Sequence, residues 1–354
     1  MIRTLSSLAA VVVIAAVVVA DGGAPQRLSE TGLYAPGRPG EIADGVRSFT
    51  PQYPLWTDGA AKRRWVSLPA GAVIASSDAG TWDMPVGTRF WKQFEFNGRK
   101  VETRMIWRAA RDRWVFASYH WNEEGSDATL VPADGVRGVV DVAPGRHHSI
   151  PSASDCTTCH GSERPTPLGF NALQLSPDRD PAAIHGEPLH DADLTLATLV
   201  AEHRLEGPGR GLLATAPRIR TGNPRTRSAL GYLLANCGTC HNGRGEIAAL
   251  GPTLKVDELL EDGDAVASRL IGQATRWQVP GVAEGESVLI NPAQVEKSAM
   301  LVRMRSRSPL SQMPPLGTVL RDSEAVDRLT AWASEIGAGL VSGSSISHAR
   351  RSRR

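Results

Sequence analysis

The chain has 354 residues, enough for two or three compact domains of about 100–200 residues each. Its formal net charge is +2, and because four of the last five residues are arginines, removing those four leaves a remainder with about −2. A body so close to neutral gives no support for nucleic-acid binding, which calls for a basic surface.

The N-terminus has the pattern of a secretory signal peptide. An unbroken apolar run from Leu8 to Ala20 follows Arg3, and the small residues Val18 and Ala20 suit cleavage, so we predict a signal peptide over 1–24. A run of 13 residues is short for a membrane span, which needs about 20. We therefore expect a periplasmic or otherwise exported protein, attached to a membrane only if the signal is retained as an anchor.

The next part of the chain, 25–150, has the pattern of antiparallel β structure. Alternating apolar residues lead up to Asn97-Gly98, the preferred pair for a type I′ hairpin turn, and resume from Val101 to Trp107. A third alternating run extends from Trp114 to Trp121. Three successive strands form a meander, so we predict a small antiparallel sandwich or barrel.

A Gly/Pro/Val-rich stretch between Pro132 and Pro151 interrupts this pattern, and we place a domain boundary at 150. Apolar residues at helical spacing lie beyond it. The predicted helices are Leu194–Leu205, Arg227–Cys240, Ser298–Arg305 and Asp322–Ile336. The expected fold class is therefore α+β, with a β-rich unit followed by mostly helical units.

All four cysteines lie in two copies of one pattern, Cys156-Thr157-Thr158-Cys159-His160 and Cys237-Gly238-Thr239-Cys240-His241. Residues i, i+3 and i+4 share a helix face, so two thiols and one imidazole can meet a single flat ligand. This is the attachment sequence for c-type haem. We predict two covalently bound haems, with the thiols forming thioethers and His160 and His241 binding iron.

Other interpretations of the cysteines fit the pattern less well. A four-thiol zinc site usually separates its two pairs by about 15–20 residues, whereas this gap runs from His160 to Asn236. Two disulfides would suit an oxidising compartment, and a single Cys-x-x-Cys pair could be a redox motif. Neither alternative accounts for a histidine after both pairs.

The sixth iron ligand is predicted for the second haem alone. Met313 lies in Gln312-Met313-Pro314-Pro315-Leu316-Gly317, where two prolines keep it out of a helix and suit it to bind iron. A gap-filling role in the core is the alternative for Met313, and it is the preferred role for Met300 and Met304. The first haem has no comparable methionine, and its candidates stay open: Met105, His120, His147, His148, His185, His190 and His203.

The C-terminal part from Arg227 to Ile336 resembles a class I cytochrome c domain, and the mature chain resembles a family of bacterial dihaem c-type cytochromes. The second resemblance is carried by the segments 53–60 (Tyr-Pro-Leu-Trp-Thr-Asp-Gly-Ala), 102–104, 151–152 and 313–317. It implies haem binding and electron transfer, without a substrate. The predicted domains are then 25–150 (β-rich), 151–220 (first haem), 221–340 (second haem) and 341–354 (a disordered basic tail).

A polar cluster in the β region has two interpretations. It comprises Asp58, Lys62, Arg63, Arg64, Glu102 and Arg104. Glu102 and Arg104 share a strand face, so an ion pair on a solvated sheet surface is one possibility. The other is that an arginine such as Arg104 pairs with a haem propionate, a carboxylate of suitable geometry.

Three functions follow from these motifs. The first is a non-enzymatic carrier that passes single electrons between redox partner proteins, such as a periplasmic dehydrogenase and a terminal acceptor. The second is a peroxidase-like dihaem oxidoreductase with an open first haem, for which Glu187 and His190 are the available acid and base groups. The third is a docking module whose exposed aromatic residues bind a partner enzyme.

Overall fold

The computed structural model describes residues 23–38, 40–160, 167–207, 215–243 and 251–351, with side chains described as far as Gly337. The predicted signal peptide therefore falls almost entirely outside the described residues. Within the described part, no helix has both the length and the apolar character needed to cross a membrane.

The predicted α+β class is confirmed. The strands are β1 (Val46–Ser48), β2 (Ala61–Ser67), β3 (Ile74–Ser76), β4 (Trp82–Asp83), β5 (Arg89–Phe96), β6 (Arg99–Ala110), β7 (Arg113–Trp121), β8 (Ala128–Leu130), β9 (Val136–Ala143), β10 (Arg146–Ile150) and β11 (Leu205–Glu206). The helices are α1 (Ala153–His160), α2 (Leu196–Ala201), α3 (Pro224–Asn236), α4 (Val256–Leu270), α5 (Ala299–Arg305) and α6 (Ser323–Arg351).

The meander predicted from residue 94 to residue 121 is confirmed as β5, β6 and β7, which pair antiparallel in that order. Asn97 and Gly98 have φ values of +50° and +76°, as a type I′ turn requires at both central positions. These two residues therefore determine the position of the hairpin.

The barrel alternative is wrong, because the main sheet is open. Its order is β1-β2-β5-β6-β7-β8, with three-residue strands at both edges. Such short edge strands leave few backbone groups unpaired, which protects an open sheet without closure. Two smaller sheets, β10-β9 and β11-β3-β4, accompany it.

The stretch between Pro132 and Pro151 is not a linker. It contains the antiparallel hairpin β9–β10, and valines of β9 pack against Phe94, Phe96 and Val101 of the main sheet. Its glycines interrupt the period-2 pattern, which is why alternation did not reveal the strands.

The hydrophobic cores join segments that are distant in sequence. On one face of the main sheet, Trp91 and Met105 pack with Leu28 and Leu33 of the N-terminal segment. A second core combines strand residues such as Phe90 with others from beyond residue 150, among them Phe170, Leu196 and Leu205. The boundary predicted at 150 therefore does not separate two cores.

The helices around the second motif form a third core, in which α3, α4, α5 and α6 contribute buried side chains. Helix α5 was predicted to within one residue, whereas α4, with Gly263 in its interior, was not predicted. Helix α2 is shorter than its prediction, and α3 ends four residues before Cys240. Helix α6 continues to Arg351, through most of the predicted tail, and no proline follows Pro315 to interrupt it.

Candidate functional site

The first motif occupies helix α1. The Ser152 hydroxyl accepts from the Asp155 amide at 3.1 Å, and the Asp155 carboxylate accepts from the Ser152 amide at 3.0 Å, so a reciprocal cap begins the helix. Cys156, Cys159 and His160 are half-buried, while the intervening Thr157 and Thr158 are exposed. The three predicted haem-binding residues therefore share the face of α1 that is turned toward the protein.

This face lies over the main sheet. The His160 ring is 5.6 Å from the Phe116 ring, measured between centroids, and α1 contacts β7 directly. Burial alone would lower the pKa of Arg104 on β6, but Glu102 raises it, and the Cys156 and Cys159 thiols lie close enough to add to that rise. The first candidate site therefore lies between α1 and the strands β6 and β7.

The second motif follows α3, in a turn rather than in the helix itself. The His241 amide donates to the Cys237 carbonyl at 2.8 Å, and the Cys240 amide donates to the same oxygen at 3.1 Å. These bonds hold Cys237, Cys240 and His241 within one turn of backbone. The compact spacing that the predicted haem attachment needs is preserved although α3 ends at Asn236.

The chain returns close to the His241 ring at Gly251. A Cβ atom at Gly251 would lie 2.4 Å from His241 Nδ1, so only glycine permits this approach. Nδ1 itself is buried and has no hydrogen-bond partner among the described residues. Burial, and then the Arg303 guanidinium, lowers the pKa of His241, which favours the neutral imidazole that can bind a metal.

The two motifs approach each other although they are far apart in sequence. Interaction between the Cys159 and Cys240 thiols raises the pKa of Cys159 and lowers that of Cys240. All four cysteines are nonetheless free thiols. In the described part of the chain, no three His, Cys, Asp or Glu side chains form a group that could hold a metal ion.

Met313 lies in a half-buried loop after α5. Its amide donates to the Arg303 carbonyl at 3.0 Å, and the Arg303 Nε donates to the Ser311 carbonyl at 3.1 Å. Arg303 is also the residue whose charge affects His241. Helix α5 thus connects the predicted methionine ligand with the predicted histidine ligand, while Met304 is buried in the core and Met300 packs against it, as predicted.

One N-terminal segment, residues 53–58, holds both parts of the second site. The Trp56 amide donates to Asn236 Oδ1 at 2.8 Å, at the end of α3. Asp58 Oδ1 accepts from the amides of Val319 and Leu320 at 2.9 and 2.8 Å, just beyond the Met313 loop. The 53–58 segment therefore joins the turn that precedes Cys237 to the loop that carries Met313.

Tyr53 begins this segment and packs directly on α3 at Gly231, where a Cβ atom would lie 2.1 Å from Tyr53 Cε1. We expect Gly231→Ala to destabilise the protein by about 1–3 kcal/mol, since a buried ring must shift. Gly222→Ala is the matched control, because a Cβ atom at that position would meet no other atom within 4 Å. Urea denaturation of both variants measures the difference, and equal stabilities would contradict this role for Gly231.

Most candidates for the sixth ligand of the predicted first haem have other partners. Met105 is buried in the core, and His148 is buried with its Nε2 2.8 Å from Glu102 Oε1. His185 Nε2 is 2.9 Å from both carboxylate oxygens of Asp322, and His147 Nδ1 is 2.6 Å from Asp141. His120, His190 and His203 are exposed, as His147 is. Of these, His120 lies on the same face of β7 as Phe116.

The Glu102–Arg104 pair of the polar cluster does not lie on a solvated sheet surface. Glu102 is 0% exposed, and Arg104 donates to it twice, from Nη2 at 2.6 Å and from Nε at 3.0 Å. Burial alone would raise the pKa of Glu102, but Arg104 and His148 outweigh it and lower the pKa to about 2. The ion pair is therefore present, but it is covered on the side of the fold that carries the β9–β10 hairpin, where His148 lies.

No protein-family model, curated protein or solved structure matches this chain. The resemblance drawn from the sequence motifs accordingly stays a prediction. The function is therefore inferred from the residues and contacts described above.

Proposed function

We propose that this chain is an exported dihaem c-type cytochrome that transfers single electrons. The observation that carries the proposal is that each Cys-x-x-Cys-His motif holds two thiols and an imidazole within about one turn of backbone, the first on α1 and the second in the turn after α3. Cys159 and Cys240 also affect each other's pKa, which indicates nearby attachment sites, and two neighbouring redox centres would exchange electrons as one unit. Convergence alone would also suit a four-thiol zinc site, but such a site does not account for the histidine that follows each cysteine pair.

The chain supplies the residues that two covalently bound haems would need. Cys156 and Cys159 would bind the first through thioether bonds with His160 on the iron, and Cys237, Cys240 and His241 would bind the second in the same way. Met313 would complete the second iron site. Bound haem supplies reversible one-electron chemistry, while the protein supplies attachment, axial ligands and the polarity of the surroundings.

The C-terminal helices give further support. The helix before the second motif (α3), the helix that holds the Met313 loop (α5) and a closing helix (α6) pack around one core, as expected of a class I cytochrome c domain. The resemblance of the whole chain to bacterial dihaem cytochromes belongs to the same proposal. Export is part of it, since covalent haem attachment of this type occurs outside the cytoplasmic membrane.

The two alternatives receive less support. Glu187 accepts from Arg64 through both oxygens, at 2.6 and 3.0 Å, so this carboxylate is committed to a structural pair rather than to proton transfer. A docking module needs exposed aromatic residues, and all nine tryptophans are buried or half-buried. We therefore favour the electron carrier.

Haem content tests the proposal. Produced with c-type maturation, the protein is expected to carry two covalent haems, visible in its intact mass and in haem staining of a denaturing gel. The double variants Cys156→Ser/Cys159→Ser and Cys237→Ser/Cys240→Ser should each lose one haem, because serine forms no thioether.

Thr157→Ser is the matched control, since it lies within the first motif but is exposed and keeps its hydroxyl. It should retain both haems. Absence of haem from the mature wild-type protein would refute the proposal. Low-temperature EPR of the ferric protein then separates the functions: two low-spin signals support a carrier, and one high-spin signal supports an enzyme with an open first haem.

A further inference from the structure

Three cationic side chains stand in one row across the main sheet. The register pairs Arg64 of β2 with Lys92 of β5, and Lys92 with Arg104 of β6. Like charges directly opposite each other destabilise a sheet. A row of three such residues therefore needs nearby negative charge.

The outer two residues of this cation row have carboxylate partners, but the central one does not. Glu187 accepts from Arg64 through two hydrogen bonds, and Glu102 accepts from Arg104 through two. Among the described residues, no carboxylate oxygen lies within ion-pair distance of Lys92. Its Nζ lies over the Phe94 ring, 5.1 Å from the centroid.

The surroundings of Lys92 are unfavourable for its charge. Burial, followed by the charges of Arg64, Lys62 and Arg104, lowers the pKa of Lys92 well below its ordinary value, and Glu187 opposes this only in part. Lys62 adds a fourth cation whose Nζ donates to the Ala60 carbonyl at 3.0 Å. An anion bound at Lys92 would stabilise the ammonium form.

The cation row begins beside the first motif and runs away from it. Arg104 is the member close to Cys156 and Cys159, and Lys92 and Arg64 follow on successive strands. Strands are spaced about 4.8 Å apart, so the row extends about 10 Å from Arg104. In haem, the two propionates lie on the side of the macrocycle opposite the vinyl groups that bond to cysteine.

We propose that Lys92, between Arg64 and Arg104, binds a propionate carboxylate of the haem attached at Cys156 and Cys159. This inference rests on the proposed function. It assigns a binding role to Lys92, which has no carboxylate partner among the described residues. The two arginines keep their structural carboxylates and contribute positive charge on either side.

The test is a redox titration of the haem-loaded protein. Lys92→Gln is expected to lower the midpoint potential of the first haem, because removing a nearby positive charge favours the ferric state, and to leave the second haem unchanged. Lys92→Arg keeps the charge and should retain the wild-type potential. Met313→Leu should change only the midpoint potential of the second haem, so this variant shows which potential belongs to which haem.

Lys100→Gln is the matched control, since Lys100 lies on β6 with its Nζ 4.2 Å from the Trp121 ring centroid, away from the cation row. If both variants carry two haems and the first haem has the same midpoint potential in Lys92→Gln as in Lys100→Gln, the inference is overturned. Absence of haem from the wild type would instead refute the proposed function.

Two further measurements, the haem content of the variants and the effect of an added anion on the potential, distinguish a propionate from other ligands of Lys92. If Lys92→Gln carries less haem than the wild type, Lys92→Arg should carry the wild-type amount. A loss of haem in Lys92→Arg as well would contradict a charge-based role. Added inorganic phosphate should leave the wild-type potential of the first haem unchanged. A saturable shift that Lys92→Gln abolishes would show an exchangeable anion at Lys92 and would overturn the assignment to a propionate.

Discussion

Replacing Met313 with leucine is expected to lower the midpoint potential of the proposed second haem and to leave that of the proposed first haem unchanged. Methionine opposite histidine raises a haem potential, and axial ligands move haem potentials over a range of about 0.8 V. Leucine removes the proposed iron ligand while keeping a side chain of similar size. Spectroelectrochemical titration of the purified protein measures both potentials.

Met304→Leu is the control for this substitution, because Met304 is 6% exposed and belongs to the core around α3 and α6. Its replacement should cost less than about 1.5 kcal/mol of stability and should not move either potential. Equal potentials in Met313→Leu and Met304→Leu would show that Met313 is not a ligand, and a gap-filling role would then apply to Met313 as well.

Local signals in the sequence predicted local structure well. Asn97-Gly98 determined the β5–β6 turn, because few residue pairs adopt positive φ at both positions. The spacing in the first motif predicted a shared face, and Cys156, Cys159 and His160 are half-buried together on α1. These features depend on neighbours within a few residues, which are visible in a linear sequence.

The cation row could not be predicted in the same way. Next to the turn, Phe96 pairs with Arg99 and Glu95 with Lys100. If this register continued along β5 and β6, Lys92 would lie opposite Thr103. A bulge between Phe94 and Glu95 shifts the register by one residue and sets Lys92 opposite Arg104. Because side chains alternate between faces, this one-residue shift brings Arg104 to the face that carries Lys92.

Contacts over long sequence distances also leave no signal in the sequence pattern. The mutual pKa effect of Cys159 and Cys240 and the hydrogen bonds that Val319 and Leu320 donate to Asp58 depend on how the separate cores assemble. Periodicity shows which face of an element is apolar, but not which distant element covers it. The shared core across residue 150 was missed for the same reason.

One chain of polar contacts links the two candidate sites. Arg104 lies beside the first motif and pairs with Glu102, and Glu102 contacts His148. His148 Nδ1 is 3.9 Å from Asp58 Oδ2, and Asp58 accepts from the backbone beyond the Met313 loop. Glu102 is the central member, since it contacts both Arg104 and His148.

Glu102→Gln is therefore expected to be strongly destabilising, because it leaves Arg104 and His148 without their buried counter-charge. Breaking a buried ion pair from one side costs about 3–5 kcal/mol, and the lower end applies here since the Arg104 side chain is 26% exposed. Glu95→Gln is the matched control on β5. Its partner Arg63 is 69% exposed, so that pair contributes at most about 1 kcal/mol.

The pH dependence gives the same prediction an independent check. The pKa of Glu102 is lowered to about 2 in the folded state from the ordinary value of 4.5, so the stability it contributes is fully present above 4.5. It is lost as the pH falls through about 2, when the folded carboxylate is protonated as well. Denaturant unfolding at pH 7 and at pH 3 should therefore show the wild type approaching Glu102→Gln in acid, whereas a constant gap would mean that the Glu102 charge does not stabilise the fold.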